Sequence, residues 1–178
     1  MSKKYPISLV VNTKNEEKDI VECIRSAQEL VSEVIVADMH STDKTIEFAK
    51  KEGATVFTVK DVGYVEPARN EAIQKAKNEW VLLLDADERL SPGLVPVLSE
   101  IAESDKADVV EIQFKTIILG KWMQHTKWWP VHLRRFFKKS CVTWPTKIHG
   151  TPDYKGRVLR LDAKEKLSIA HYNFNTVE

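Results

Sequence analysis

The chain has 178 residues, long enough to bury a sizeable core, and is 43% hydrophobic and 30% charged, an ordinary globular balance. Its formal net charge is +1, which excludes a global field for nucleic acid or anionic membrane, so any basic patch must be local. No apolar run approaches the roughly 20 residues of a membrane span, and the N-terminal MSKKYPISLVVNT has no signal-peptide block. Cys23 and Cys141 fit neither a zinc ribbon nor a disulfide scaffold, so a cytoplasmic chain with two reduced thiols is expected.

Ile7 to Val11 form a short apolar run and read as a first buried strand. Ile20, Cys23, Ile24, Ala27 and Val31 then recur at helical spacing, with Glu16, Glu17 and Asp19 suited to the N-terminal end of the dipole. Val34 to Ala37 make a second strand ending at Asp38. The stretch HSTDKTIEFAKKEGA gives a helix with Ser41 or Thr42 as N-cap, Asp43 in its first turn and Gly53 as its stop. Ala54 to Val59 read as a third strand. Pro67 opens a helix with Ala68, Ala72, Ile73 and Ala76 on one face, and Trp80 to Leu84 are a fourth strand. Unbroken strand–helix alternation implies right-handed crossovers and a parallel sheet covered on both faces. After Pro92 the pattern changes to a helix over 94–103, a strand in ADVVEIQF, an aromatic and basic stretch, and two short strands over 157–161 and 166–172. One domain over 1–178 is the economical reading, with a regular half to residue 92 and an irregular half over 93–178.

The stretch EWVLLLDADERL runs five apolar residues into Asp85, Asp87 and Glu88. Like charges that close repel and are costly to bury, so a positive partner is expected. Ligands of open parallel sheets bind outside the carboxyl ends of the strands. Asn12, Thr13 and Asn15 follow strand one, Asp38 ends strand two, and Asp85 with Asp87 ends strand four. Arg69, in the first turn of its helix, opposes the macrodipole there, and either serves this edge or pairs Glu66 or Glu71. The turn VVNTKNEEKD has no glycine, which excludes a dinucleotide fingerprint and a P-loop. A bound diphosphate would need other neutralisation. Mg²⁺ or Mn²⁺ on Asp85 and Asp87, whose side chains share a direction in extended geometry, would supply it. The plain alternative is a helix cap with surface ion pairs to Arg89.

At VVNTKNEE, VIVADMHSTDKTIEFAKKEGA, ARNEAIQKAKNEWVLLLDADERL and LGKWMQHTKWWP the chain resembles the family 2 glycosyltransferases, most closely the lipopolysaccharide-core glucosyltransferase-like subgroup. The resemblance implies the GT-A fold, a Rossmann-like, mostly parallel α/β sheet flanked by helices with a smaller, irregular acceptor-side region. It also implies inverting transfer from a nucleotide-diphosphate sugar, a UDP-sugar being favoured, to a saccharide or lipid-linked acceptor, with Mg²⁺ or Mn²⁺. Thr13 and Asn15 match the first donor-site loop, Asp38 the acid holding the nucleoside, Arg69 a residue beside the nucleobase, and Asp85 and Asp87 the Asp-x-Asp motif. Two positions depart from the pattern: Met39 and His40 stand where relatives have Ser-Gly, and Gly150 where they often have an acid. With Gly150 in that place, Asp153 and Glu88 are the candidates for general base. The chain also ends soon after IAHYNF, so the acceptor half reads as short.

Trp128, Trp129, His149 and Arg134 are assigned to the acceptor side, with His125 and His171 ranked lower. Core packing is an equal alternative for the tryptophans. The run LRRFFKK, with Arg134, Arg135, Lys138 and Lys139, reads either as attraction for an anionic lipid-linked acceptor or the cytoplasmic leaflet, or as a strand with a solvated basic face. The principal rival function is a nucleotide-sugar-binding or scaffolding protein without turnover. A nucleotidyltransferase is less consistent, since the glycine- and base-rich phosphate loop is missing.

Overall fold

The computed structural model describes residues 4–61, 63, 66–145 and 152–173. β1 (Tyr5–Thr13), α1 (Ile20–Ala27), β2 (Val31–Asp38), α2 (Thr45–Lys51), β3 (Thr55–Thr58), α3 (Glu66–Lys75) and β4 (Trp80–Asp85) alternate as the sequence predicts. After them come β5 (Glu88–Leu90), α4 (Leu94–Ser104), β6 (Val109–Ile118), β7 (Lys121–Trp122), β8 (Val131–Lys138), β9 (Val142–Thr143), β10 (Asp153–Tyr154), β11 (Val158–Arg160) and β12 (Ser168–Asn173). The main sheet runs β3-β2-β1-β4-β8-β6-β12-β5. Its first four strands are parallel in the expected order three, two, one, four. β8 is antiparallel to both its neighbours, and β5, only two residues after β4 in the chain, closes the far end against β12. The sheet therefore curls, and the turn after β4 comes to lie beside the C-terminal strand.

The apolar residues divide by strand parity. Leu9, Val11, Leu82 and Leu84 pack with Ile20, Cys23 and Ile24 of α1, and Val10, Ile35, Val81 and Leu83 pack with Ala68, Ala72 and Ile73 of α3. A strand covered on both faces cannot alternate polar and apolar residues, which is why β4 reads as a continuous apolar run. Register then sets the functional edge. Thr13 pairs Asp38 and Asn12 pairs Asp85, so both acids stand at the carboxyl ends of neighbouring strands.

Two local expectations change. Val31 opens β2 instead of extending α1, because the chain turns at 28–30 through Gln28 N–H to the Arg25 carbonyl and Leu30 N–H to the Ala27 carbonyl. Neither Ser41 nor Thr42 caps α2. Lys44 holds the N-cap position, Asp43 just before it accepts the Thr45 N–H on Oδ1 at 2.9 Å, and the two hydroxyl residues face the β1 loop. The run LRRFFKK is strand β8, inserted between β4 and β6 by its apolar pair: Phe136 stacks on Trp80 with centroids 4.5 Å apart, and Phe137 packs near Trp144.

Gly93 joins the two halves. A Cβ there would press into the backbone carbonyl of Lys166, just before β12. Backbone cannot swing aside as a side chain can, so Gly93→Ala is expected to destabilise the protein by about 1–3 kcal/mol in a urea melt. An unchanged midpoint would show that this approach is not tight.

Candidate active site

The positive partner of the acidic turn is a pair of arginines. Arg69 Nη2 donates to both carboxylate oxygens of Asp85 at 2.9 Å, and Arg135 Nη2 donates to Asp85 Oδ2 at 3.0 Å and to Glu88 Oε1 at 2.6 Å. Burial works to raise the Asp85 carboxyl, but Arg135 and Arg69 overcome it and hold it below the usual carboxylate range. Arg69 thus serves the sheet edge, with Trp144 5.6 Å from its guanidinium. The oxygens of Asp85, a predicted metal ligand, carry three charge-assisted bonds to two cations. Glu88, a base candidate, is held by Arg135. It is 1% exposed, bound by Arg135 and by the Asp85 backbone N–H at 2.9 Å, and burial raises its carboxyl despite Arg135.

Asp87 differs. Like Asp85 it lines a cleft of about 270 Å³ with Asn12, Thr13, Glu16, Met39 and His171, but its side-chain partner is a histidine. His171 Nε2 lies 3.1 Å from Asp87 Oδ2, and the Tyr172 N–H donates to the Asp87 carbonyl at 2.9 Å. Sequence reasoning ranked His171 low, because nothing in the chain order shows that β12 returns to the acidic turn. Burial opposes the charged imidazole, but the bond to Asp87 prevails and raises its pKa. Among the described residues no group of three or more His, Cys, Asp or Glu could hold a metal ion. Asp87 is the carboxylate of this cleft that could meet Mg²⁺ or Mn²⁺ beside substrate phosphate and water, with His171 as a nitrogen neighbour.

The loops at this edge latch to each other. Asn15 N–H donates to Ser41 Oγ and Thr42 N–H to Asn15 Oδ1, both at 2.8 Å, and Ser41 N–H donates to Asp38 Oδ2 at 2.9 Å. Asn15 and His40 take left-handed φ of 55° and 58°. Asparagine tolerates this, whereas His40, where relatives have glycine, stands at a conformation that costs a side-chain-bearing residue about 1 kcal/mol. Buried polar atoms without a partner among the described residues collect beside the latch: both amide atoms of Asn12, Thr13 Oγ1, Asp38 Oδ1 and Arg69 Nε. Native structures rarely leave such atoms unmatched, so they call for a polar partner, a ligand or bound water.

The acceptor-side expectations fare differently. Arg134 pairs Glu111 at 3.1 Å and lies 3.9 Å over the Tyr154 ring. Lys138 pairs Asp105 and Asp108, and Lys139 donates to the Ala76 carbonyl. With Arg135 on Asp85 and Glu88, three of the four cations are matched by acids and Lys139 by a carbonyl, so the run is not a free anionic-lipid patch. Trp129 packs edge-on against Trp122 at 5.1 Å, and Lys115 lies 4.7 Å over Trp122. Lys115 projects from β6 opposite to Phe114, which contacts His171 at 5.9 Å, so the Trp122–Trp129 pair is on the other face from the Asp87 partner. Trp128 and His125 line a separate hollow with Trp122. Asp153 is exposed on β10, and no described contact joins it to Asp85 or Asp87. His149 and Gly150 lie outside the described residues.

Two measurements test this reading. Asn12 is 3% exposed, and an unmatched buried amide costs about 1–3 kcal/mol, so Asn12→Val is expected to raise the ligand-free melting point. Glu16 is raised from 4.5 to about 7 by burial and by Asp87, Asp19 and Asp43. Between those values the folded chain holds a proton that the unfolded chain has lost, so stability falls as pH rises through this window. In chelator, Glu16→Gln is expected to flatten that slope, and an unchanged slope would assign it to another group.

Comparison with known proteins identifies the family. The Glycosyl transferase family 2 model matches residues 8–166. An uncharacterised glycosyltransferase of Rickettsia typhi is 34% identical over 148 residues, covering 82% of this chain and 50% of its own length. Thus the chain spans half the length of that relative. S. aureus TarS in complex with UDP-GlcNAc superposes with a TM-score of 0.72 at 19% identity, covering 94% of this chain and 58% of TarS. Glucosyl-3-phosphoglycerate synthase from Mycobacterium tuberculosis, in complex with Mn²⁺, UDP and glucosyl-3-phosphoglycerate, gives 0.51 at 26% identity over 62% of this chain and 43% of its own. With the fold, the strand-end acids and a family match over most of its length, the chain belongs to glycosyl transferase family 2.

Proposed function

We propose that the protein transfers a sugar from a nucleotide-diphosphate sugar, a UDP-sugar in the favoured reading, to an acceptor hydroxyl with inversion. The observation that carries this reading is the gathering of unmatched buried polar atoms of Asn12, Thr13, Asp38 and Arg69 at the same sheet edge as the Asp85–Asp87 turn. Asp38 and Thr13 bind the nucleoside, Asn15 holds the two loops together around it, and Arg69 with Asp85 forms the wall toward the base and ribose. Neighbours crystallised with UDP, UDP-GlcNAc and Mn²⁺ support the donor class. Asp87 and His171 would hold a divalent cation, which when bound offsets charge on the leaving diphosphate. The chain's own residues orient the donor so that an acceptor oxygen meets the anomeric carbon in line.

Of the two base candidates, Asp153 remains, since Glu88 is enclosed by Arg135. That enclosure, with Gly150 in place of an acid, is also what favours the second reading, a nucleotide-sugar-binding protein without turnover. A saccharide acceptor and a place in cell-envelope or lipopolysaccharide synthesis rest on the resemblance of the sequence blocks. The lipid-linked acceptor and leaflet contact lose the support of the basic run. No helix among the described residues is long and apolar enough to cross a membrane, and a cytoplasmic site, where sugar nucleotides are made, completes the proposal.

The test is a thermal-shift panel of UDP, GDP, CDP and dTDP and their sugars, with and without Mn²⁺, followed by donor hydrolysis. A ligand at 100 times its Kd adds about 2.7 kcal/mol to stability. A UDP-sugar is expected to give the largest shift, and Asp87→Asn is expected to keep its fold and lose the Mn²⁺-dependent part. Binding without hydrolysis or transfer would favour the non-catalytic reading. No shift with any nucleotide would overturn both.

A further inference from the structure

The acidic turn holds a second guanidinium whose aim the strand alternation does not explain. Arg135 is 6% exposed and stands at a break in register. Phe136 lies opposite Val110 and Arg134 opposite Glu111, so Arg135 is one residue more than β6 can match. Bulges of this kind re-aim a side chain and concentrate beside active sites. Here the guanidinium reaches the end of β4, where one nitrogen, Nη2, donates both to Asp85 Oδ2 at 3.0 Å and to Glu88 Oε1 at 2.6 Å. The other oxygen of Glu88 accepts the backbone N–H of Asp85 at 2.9 Å. These bonds close a ring through Arg135, Asp85 and Glu88, and the ring encloses the turn at Ala86 and Asp87. The Phe114 ring, 5.3 Å from the guanidinium, covers it from the side of His171.

We propose that Arg135 is a positioning residue of the donor site: by stapling the side chain of Asp85 to Glu88 it fixes the Ala86–Asp87 turn, so that Asp87 meets the donor's diphosphate in one geometry. The inference rests on the donor reading given above. Stability alone would not call for this arrangement, because a buried ion pair is often matched or bettered by apolar residues of similar volume. The bulge, the shared nitrogen and the closed ring all act on the orientation of one turn. Both bonds leave from one nitrogen, whose place the rigid guanidinium plane fixes, whereas the ammonium of a lysine sits on a flexible stem and would keep the charge without that placement.

The experiment uses three variants: Arg135→Lys, Arg135→Met, and Arg135→Met combined with Glu88→Gln. The single Met variant leaves Glu88 buried without its cation and is expected to melt well below wild type. The double variant removes both charges, keeps an oxygen for the Asp85 N–H, and is expected to recover most of the melting point. Binding of UDP, GDP, CDP and dTDP with Mn²⁺ is then measured by calorimetry. Loss of a supporting partner of a ligand-binding group costs about 10–100-fold, so the double variant and Arg135→Lys are expected to bind the wild-type nucleotide that much more weakly. In turnover assays the donor KM should rise more than the acceptor KM. A double variant that regains stability and binds as tightly as wild type would make Arg135 a structural ion-pair partner and overturn the inference alone. If the double variant stays unstable, Arg135→Lys decides, since a folded lysine variant with wild-type affinity overturns it equally. Failure of wild type itself to bind any of the four nucleotides would overturn the donor reading and this inference with it.

Discussion

The contact of Asp85 with two guanidiniums is what allows a strand buried on both faces to end in a cluster of acids. An uncompensated carboxylate in that position would be neutralised or would break the packing around it. Arg69 approaches from α3 and Arg135 from β8, so the pair ties together elements on either side of the β4 end. The placement of β8 between β4 and β6 follows the same logic. Its apolar residues fill the core through the Trp80–Phe136 stack, and its bulge delivers the cation to the acids. Breaking such a pair costs more than its net contribution, because the remaining charge is left buried. The turn is held in one shape more than it is made stable.

The sheet edge at Asn12, Thr13 and Asp38 holds buried polar groups between two latched loops. Two loops without a glycine-rich cradle are latched by Asn15, Ser41 and Thr42, and the strain at Asn15 and His40 is confined to that latch. The buried polar atoms there that have no partner among the described residues call for one, from a ligand or from water. His171 joins from the C-terminal strand only because the sheet curls until β12 lies against β5. The irregular half thus completes the acidic turn, although its aromatic cluster packs on the other face of β6.

The strand–helix alternation, the parallel sheet and the strand-end positions of Asp38 and Asp85 were legible in the sequence. Buried parallel strands show as apolar runs, helices as a repeat of three and four, and the carboxyl-end rule then places whatever polar residues follow a strand. That signal is local, since each element announces itself within a few residues. The motif blocks that resemble a known family lie almost wholly within this part.

What the sequence could not settle was which acid meets which base. LRRFFKK shows four cations, but only the pairing of β8 with β4 and β6 decides that Arg134 goes to Glu111, Arg135 to Asp85 and Glu88, and Lys138 to Asp105 and Asp108. One bulge reverses the face on which a side chain emerges, and periodicity cannot register an extra residue of that kind. Glu88 looked as available as Asp87, one residue away, yet the curl of the sheet buries the first and leaves the second on the cleft with His171. By itself the sequence determined the fold of the regular half and the chemistry gathered at its edge. Only the tertiary structure decided the charge pairing, because those partners lie 16 to 84 residues apart and are joined by strand order, which no local pattern encodes.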